Sequence, residues 1–260
     1  MIKLGVSGRR HLFFAAVKYS FPVFLGYITI GIAFGLFAVE RGYPWYLALA
    51  TGVIMFAGAG QFIAVGLFAS GASLAEAVLI EFVVNARHIA YGLSMIRRFR
   101  SAGVFRPYLI FSLTDETFAL LSALPEIPPG SAAAAENPVP VYNSSLKERG
   151  RFMFLVSLLN QIYWNTGILI GAFAGSVIPW NFEGVSFALT ALFIVLMVEQ
   201  MFRIKRPAPF VISALTAAAA VFLLPGVLSS RFSLLSAMII SLGVVQFFEA
   251  RKKTSGGSQC

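Results

Sequence analysis

The sequence predicts an all-α helical membrane protein with about eight membrane segments, some of them discontinuous or re-entrant. Hydrophobic residues make up 58% of the 260 residues, and charged residues only 12%, against roughly 25% in an ordinary globular chain. The mean hydropathy of +0.81 excludes an ordinary water-soluble protein. The apolar stretches run continuously for about 20 residues rather than alternating, which favours helices over a membrane barrel.

Eight windows are long and apolar enough to cross a bilayer. In chain order they cover residues 20–39, 46–69, 74–96, 105–123, 152–178, 186–202, 208–224 and 232–248. Five prolines surround an alanine run between the fourth and fifth windows, so we expect a proline-rich loop at 124–150. The windows also predict an N-terminal segment over 1–18, one transmembrane domain over 19–250 and a tail over 251–260.

The net charge of +9 comes mainly from basic residues between the apolar runs, which is typical of membrane topology signals rather than of nucleic-acid binding. Eight simple crossings place thirteen of these Lys and Arg residues with the N-terminus and six on the other side. Both termini are therefore predicted to be cytoplasmic. The cluster of Arg97, Arg98 and Arg100 is the exception, because eight simple crossings place it outside, away from most of the other basic residues. It moves inside if the second and fifth segments are re-entrant hairpins, which is the alternative six-crossing arrangement.

The third segment carries polar residues on one helical stripe. Glu81, Asn85 and His88 repeat at helical spacing. A charge in the centre of a membrane helix costs at least about 2.5 kcal/mol on insertion scales, so such residues normally face a bundle interior or a cavity. We expect these three side chains to face a common cavity. Hydrogen bonding to neighbouring helices is the simpler alternative.

A second polar position of this segment, Arg87, needs a partner because an unpaired guanidinium is hard to accommodate at this depth. Glu76 shares its stripe, and the fourth segment offers Asp115 and Glu116 near its middle. We expect an ion pair between Arg87 and one of these carboxylates, with either a structural or a proton-transferring role. The fourth segment has a small, polar face that we expect to line a cavity or to accept Arg87, and it consists of Ser112, Asp115, Ala119 and Ser122.

The second segment contains the sequence MFAGAGQF, in which Gly58, Gly60 and Gln61 lie together near the centre. Glycines let a helix break, and a half-helix that starts there directs free N–H groups into the membrane. We predict an interruption at 58–61 that opens onto a substrate cavity, as in transporters with discontinuous helices. Close helix packing through small residues is the alternative.

The fifth segment contains the sequence NQIYWNTG, whose amides and indole can hydrogen-bond a zwitterion without carrying net charge. We expect four of its residues to line a cavity: Asn160, Gln161, Trp164 and Asn165.

Two glycine series in the first and fifth segments are assigned to close helix packing. They are Gly31 with Gly35 in the first segment, and Gly167, Gly171 and Gly175 in the fifth.

Enzymatic chemistry finds no support in the motifs. The sequence has no Glu-x-x-His metal pair, no Gly-x-Ser-x-Gly elbow and no Walker loop. We expect neither a catalytic residue nor a cofactor or metal, and no nucleic-acid partner.

Four runs of the sequence resemble the AzlC family. They are FPVFLGYITIGIAFG at 21–35, MFAGAGQF at 55–62, EFVVNARHIAYGLS at 81–94 and LTDETFAL at 113–120. The Asn-Ala-Arg-His and Thr-Asp-Glu stretches are the most specific elements.

The resemblance implies the large subunit of a branched-chain amino acid exporter, a secondary carrier in the bacterial inner or plasma membrane that works with a small AzlD-like membrane subunit. Protons are the expected driving ion, acting through Glu81, His88, Asp115 or Glu116. Two other classes compete with this interpretation. One is a passive channel for small polar solutes that uses the broken segments as a filter, and the other is a membrane scaffold without transport activity.

Overall fold

The computed structural model describes residues 7–124, 146–177 and 208–223, together with a few helical positions between 191 and 202 and between 240 and 244. These residues are helical, with turns between the helices. The helices are α1 Ser7–Glu40, α2 Trp45–Ile54, α3 Gly58–Ala69, α4 Leu74–Met95, a 3-10 helix Arg98–Phe105, α5 Arg106–Phe111, α6 Asp115–Ala123, α7 Leu146–Val177 and α8 Ala208–Leu223. The chain divides into two compact units, 1–192 and 193–260. The first unit contains α1 to α7, and α8 belongs to the second.

The long helices α1 and α7 pack side by side and run in the same direction. A Cβ added at Gly31 would lie 2.8 Å from the Trp164 carbonyl oxygen, and one at Gly167 would lie 2.7 Å from the Ile28 carbonyl oxygen. Further along both helices, Gly35 meets the α7 backbone at Ile168 in the same way. Only glycine permits this approach of two backbones, so the prediction that these glycines serve helix packing is confirmed.

Helices α2 and α3 form a helical hairpin, which we call the first hairpin. Its arms come together because Gln61 on α3 donates to the Thr51 hydroxyl on α2 at 2.9 Å. The α3 arm lies along α1, where the Phe62 ring centroid is 5.1 Å from that of Phe34 and 5.5 Å from that of Phe37. Both ends of this hairpin therefore lie at the C-terminal end of α1.

The 3-10 helix, α5 and α6 form the second hairpin, which enters from the other end of the bundle. Arg98, at its start, donates to the carbonyl oxygen of Leu121 at 2.7 Å and also to that of Leu124. The Tyr19 hydroxyl near the start of α1 donates to the Leu120 carbonyl oxygen at 2.9 Å. Both ends of the second hairpin therefore lie at the N-terminal end of α1, and its tip points in the opposite direction to that of the first.

Helix α4 connects the two hairpins and runs antiparallel to α1. It begins with a capping box, in which Ser73 caps the Glu76 N–H and the Glu76 carboxylate accepts from the Ser73 N–H at 2.8 Å. Of the three carboxylates offered as partners of Arg87, Glu76 is therefore used to begin its own helix.

The predicted segments match the helices only in part. The first, third and fifth windows are single helices, so the alternative of a re-entrant fifth segment is wrong: Leu146–Val177 is one continuous helix. The second window is a hairpin, as the six-crossing alternative proposed, and the fourth is also one, which neither arrangement predicted. The seventh window corresponds to α8, whereas the sixth and eighth lie largely outside the described residues.

The predicted proline-rich loop at 124–150 also needs a boundary correction, because α7 already begins at Leu146; the rest of that loop and the tail over 251–260 lie outside the described residues. Similarly, α1 begins at Ser7, within the predicted N-terminal segment.

Two of the described helices are long and apolar enough to cross a membrane by length and composition. They are α1, over Arg10–Glu40, and α7, over Leu146–Val177.

Candidate functional site

Tyr27 on α1 lies where the tips of the two hairpins meet. The first tip is the break between α2 and α3 at 55–57, and the second tip is the break between α5 and α6 at 112–114. The buried ring of Tyr27 lies edge-on to Phe56 of the first tip, with centroids 6.3 Å apart. Its hydroxyl bonds the Thr114 hydroxyl of the second tip and donates to the Glu116 carboxylate at 2.8 Å. The breaks of the two hairpins therefore lie beside each other in the interior of the first unit.

The predicted interruption of the second segment is confirmed at the first tip, but it lies before residues 58–61 rather than within them. Helix α2 ends at Ile54 and α3 begins at Gly58, so the break is at 55–57 and the glycines form the first turn of the new helix. Phe56 has a φ of 42° although it is not glycine, and such backbone strain is typical of functional sites. The residue preceding α3, Ala57, offers no side-chain cap to the free N–H groups.

Gln61 joins the first hairpin to α7. It is fully buried, its amide nitrogen donates to Thr51, and its amide oxygen accepts from the Trp164 indole at 2.8 Å. The hydrogen-bonding groups of Gln61 are thus used within the protein, so this side chain fixes the hairpin in place. A direct contact between Gln61 and a substrate stays a prediction.

The polar stripe of α4 reaches the first turn of α3. The Asn85 amide donates to Glu81 at 2.7 Å, and both side chains lie against Gly60, where an added Cβ would be 2.6 Å from Glu81 Oε2 and 2.8 Å from Asn85 Nδ2. Glu81 Oε1 and Asn85 Oδ1 are buried without a hydrogen-bond partner among the described residues. These two oxygen atoms are free to accept hydrogen bonds from a ligand.

The third member of that stripe is placed differently. The His88 ring contacts the carbonyl oxygen of Asn85 in its own helix at 3.1 Å and lies edge-on to Tyr91. Glu81 and Asn85 thus come together at the first hairpin, whereas His88 is one turn further, towards the second. That all three face one common cavity stays a prediction.

The predicted ion pair of Arg87 is confirmed, and its partner is Asp115. Arg87 Nη1 lies 2.9 Å from Asp115 Oδ2, with side chains 33% and 16% exposed. The other oxygen of Asp115 accepts from the Tyr91 hydroxyl. Glu116, the next residue, turns instead to Tyr27, so two adjacent carboxylates are held by different helices.

The fourth segment does not present the continuous helical face that the sequence predicted. Helix α5 ends at Phe111, and Thr114 caps a new helix by accepting from the Thr117 N–H at 3.2 Å. Asp115 and Glu116 then occupy the first turn, where carboxylates stabilise the helix dipole. Ser112 therefore does not share a helical face with the residues after the break. A Thr-Asp-Glu stretch is a helix start signal that could have been recognised in the sequence.

The polar residues of α7 hold both hairpins. Gln161 accepts from the Tyr108 hydroxyl at 2.7 Å and donates to the Val53 carbonyl oxygen at 3.0 Å. Asn165 donates weakly to the Gly52 carbonyl oxygen at 3.4 Å, and Asn160 donates to Thr117 at 3.0 Å. Their hydrogen bonds within the protein favour a positioning role, and cavity lining stays a prediction for these residues.

Several residues of this centre were not among the predicted site residues, notably Tyr27, Thr51, Tyr91 and Thr117. A signal existed for Tyr27, since it precedes Gly31 and Gly35 at four-residue spacing and therefore shares their face towards α7. For Thr51 no comparable signal exists, because its contact with Gln61 depends on the fold of the hairpin.

These features define a helical membrane protein with two opposed helical hairpins and a polar centre between them. The chain belongs to the AzlC family: the family model described as AzlC protein matches residues 22–178, which include both hairpins. The chain is 34% identical to the branched-chain amino acid transport protein AzlC of Bacillus subtilis, over 75% of this chain and 70% of the relative. That relative is named as a transport protein.

Other relatives carry less specific names. An uncharacterized membrane protein of Helicobacter pylori is 39% identical over 73% of this chain and 78% of the relative. The inner membrane protein YgaZ of Escherichia coli is 29% identical over 68% of this chain and 66% of the relative. No solved structure matches this chain significantly.

Proposed function

We propose that this protein is the large subunit of a secondary transporter that exports branched-chain and other neutral amino acids. The name of the Bacillus subtilis relative supports the substrate class. The observation that carries the proposal is the meeting of two opposed hairpin tips beside Tyr27. Broken helices in transporters place helix ends and unsatisfied polar groups at the substrate site. Here the side chains of Glu81 and Asn85, each of which has one unpartnered oxygen atom, lie against the first turn of α3.

The proposed membrane arrangement has α1, α4 and α7 as crossings and the two hairpins as re-entrant segments from opposite faces. With 22 residues, α4 is about 33 Å long at 1.5 Å per residue, which suffices for the bilayer core. The arginine cluster at 97–100 then lies on the same side as Lys18 and Lys147, and Arg41 on the other. The excess of positive charge supports a cytoplasmic N-terminus in the cell membrane, and we place the C-terminus there as well.

Export against a gradient needs a driving ion, and we propose that this ion is the proton. Four titratable side chains lie at or near the hairpin tips: Glu81, His88, Asp115 and Glu116. Intramembrane carboxylates and histidines commonly act as proton relays. The small AzlD-like membrane subunit is the proposed partner, on the basis of the family resemblance.

Counterflow of labelled leucine and valine in proteoliposomes tests the transport proposal, with and without the small subunit. We expect saturable exchange and, under an imposed proton gradient, accumulation that an uncoupler abolishes. Labelled lysine is the negative control. Absence of leucine exchange in the complete two-subunit system would contradict the proposal.

A passive channel for small polar solutes is the second candidate, because opposed half-helices that meet in the interior also form selective pores. Such a channel would conduct without saturation at low millimolar substrate and would not respond to the proton gradient. The same proteoliposomes therefore distinguish the two functions.

A further inference from the structure

An apolar cavity of about 330 Å³ lies between the two arms of the first hairpin and the end of α1. Its walls are mostly aliphatic or aromatic, with Leu47 and Ile54 from α2 and Ala64 and Phe68 from α3. Cavities of this size are typical of small-ligand sites. None of the predicted site residues lines it.

One side chain, Met55, lies between this cavity and the polar stripe of α4. Met55 lines the cavity, and its methyl carbon also lies 2.7 Å from the position of a Cβ added at Gly60. Glu81 Oε2 and Asn85 Nδ2 lie 2.6 Å and 2.8 Å from that same position. The methyl group of Met55 is thus the boundary between the apolar cavity and the Glu81 and Asn85 pair.

We propose that this cavity is the subsite for the aliphatic side chain of the transported amino acid, with the substrate ammonium group directed to Glu81. The inference rests on the proposed function and assigns its specificity to particular residues. A ligand that fits this arrangement has a branched apolar group at one end and a hydrogen-bond donor with positive charge at the other. The unpartnered oxygen atoms of Glu81 and Asn85 match the ammonium group, whose bonds to a carboxylate are charge-assisted.

A lipid acyl chain is the competing occupant, because the cavity is partly open and the exposed Ile54 lies at its edge. An acyl chain would fill the apolar part but leave the two oxygen atoms of α4 without a partner. The substrate satisfies both parts of the site, and we therefore commit to it.

The test compares Ala64→Leu, which fills the cavity, with Ala69→Leu on the same helix, where the alanine is exposed and outside the cavity. Counterflow of labelled leucine and alanine is measured in proteoliposomes for both variants. One methylene in an apolar pocket changes discrimination by roughly tenfold or more. We expect Ala64→Leu to lower leucine exchange relative to alanine exchange by at least about tenfold, and Ala69→Leu to leave that ratio unchanged.

A second variant, Phe68→Ala, enlarges the cavity and should admit phenylalanine, which keeps the proposal testable if Ala64→Leu does not insert. An unchanged leucine-to-alanine ratio in Ala64→Leu, or an unchanged substrate range in Phe68→Ala when only that variant inserts, would overturn the subsite and favour lipid in the cavity. If the wild-type protein exchanges no neutral amino acid, the proposed function itself fails, and the subsite with it.

Discussion

At the level of single residues, the hydroxyl of Tyr27 is the group that connects α1 with the second tip. Replacement by phenylalanine keeps the ring contacts with Phe56 and Trp164 but removes the bonds to Thr114 and Glu116. Each lost hydrogen bond costs about 0.5–1.5 kcal/mol, and more where a buried partner stays unsatisfied.

We therefore predict that Tyr27→Phe lowers the unfolding free energy by about 1–3 kcal/mol and reduces transport. Thermal unfolding in detergent measures the first effect and counterflow the second. Tyr46→Phe is the matched control, because Tyr46 is 56% exposed and should tolerate the change. Equal stability of the two variants would show that the Tyr27 hydroxyl contributes nothing to holding the second tip.

The ion pair between Arg87 and Asp115 permits a charge-exchange test. Arg87→Glu replaces the guanidinium, whose Nη1 lies 2.9 Å from Asp115 Oδ2, by a second carboxylate in a partly buried site, and we expect a loss of about 1–3 kcal/mol in stability together with loss of transport. The double variant Arg87→Glu with Asp115→Arg should recover most of the stability. Arg97→Glu, at an exposed position, provides the control, and failure of the double variant to recover any stability would contradict the pairing.

At the level of elements, the two half-helices that start inside the protein differ in how their N-termini are satisfied. Helix α6 has the Thr114 cap and two carboxylates in its first turn, whereas α3 has neither a side-chain cap nor an acidic residue there. The positive end of α3 is therefore left for the Glu81 side chain of α4 and for a ligand. This asymmetry explains why we place the substrate at the first tip rather than at the second.

Glycine substitutions along α3 test that placement. Gly60→Ala inserts a methyl group 2.6 Å from Glu81 Oε2, Gly58→Ala one at 3.1 Å from Trp164, and Gly66→Ala meets nothing within 4 Å. We expect leucine counterflow to fall most in Gly60→Ala, less in Gly58→Ala and not at all in Gly66→Ala. Since alanine favours helices over glycine by about 1 kcal/mol, lost activity would reflect the collision at Glu81 rather than weaker helix formation. Full activity of Gly60→Ala would remove Glu81 from the substrate site.

At the level of the whole molecule, the proposed arrangement of three crossings and two re-entrant hairpins changes which loops share a side of the membrane. Eight simple crossings would place residue 97 opposite residue 147, whereas three crossings and two hairpins place them together. The second arrangement collects the basic loops of the first unit on one side and therefore agrees with the distribution of positive charge.

Cysteine labelling tests this arrangement, after replacement of Cys260, which is the sole cysteine of the chain. We expect Arg97→Cys and Lys147→Cys to react with a membrane-impermeant maleimide from the same side, and Arg41→Cys from the other. Lys18→Cys, near the N-terminal end of α1, marks the side of the N-terminus. Labelling of Arg97→Cys together with Arg41→Cys would contradict the hairpin arrangement.

The sequence by itself determined the helical membrane class, the glycine packing of α1 and α7, the interruption near Gly58 and the need of Arg87 for a carboxylate. These features follow from local properties, namely apolar length, residue size and the cost of an unpaired charge. Sequence also supplied the family, through short runs with specific residues.

Only the tertiary structure decided that the second and fourth segments are hairpins, each with both of its ends at the same end of α1. A hydropathy window of about 20 residues cannot distinguish one crossing from two short arms joined by a turn, because both have the same apolar length. The direction of the second arm depends on contacts distant in sequence, such as those of Phe62 with α1 and of Arg98 with the end of α6. The choice of Asp115 over Glu76 as the partner of Arg87 has the same cause, since it depends on where the second hairpin places the start of α6.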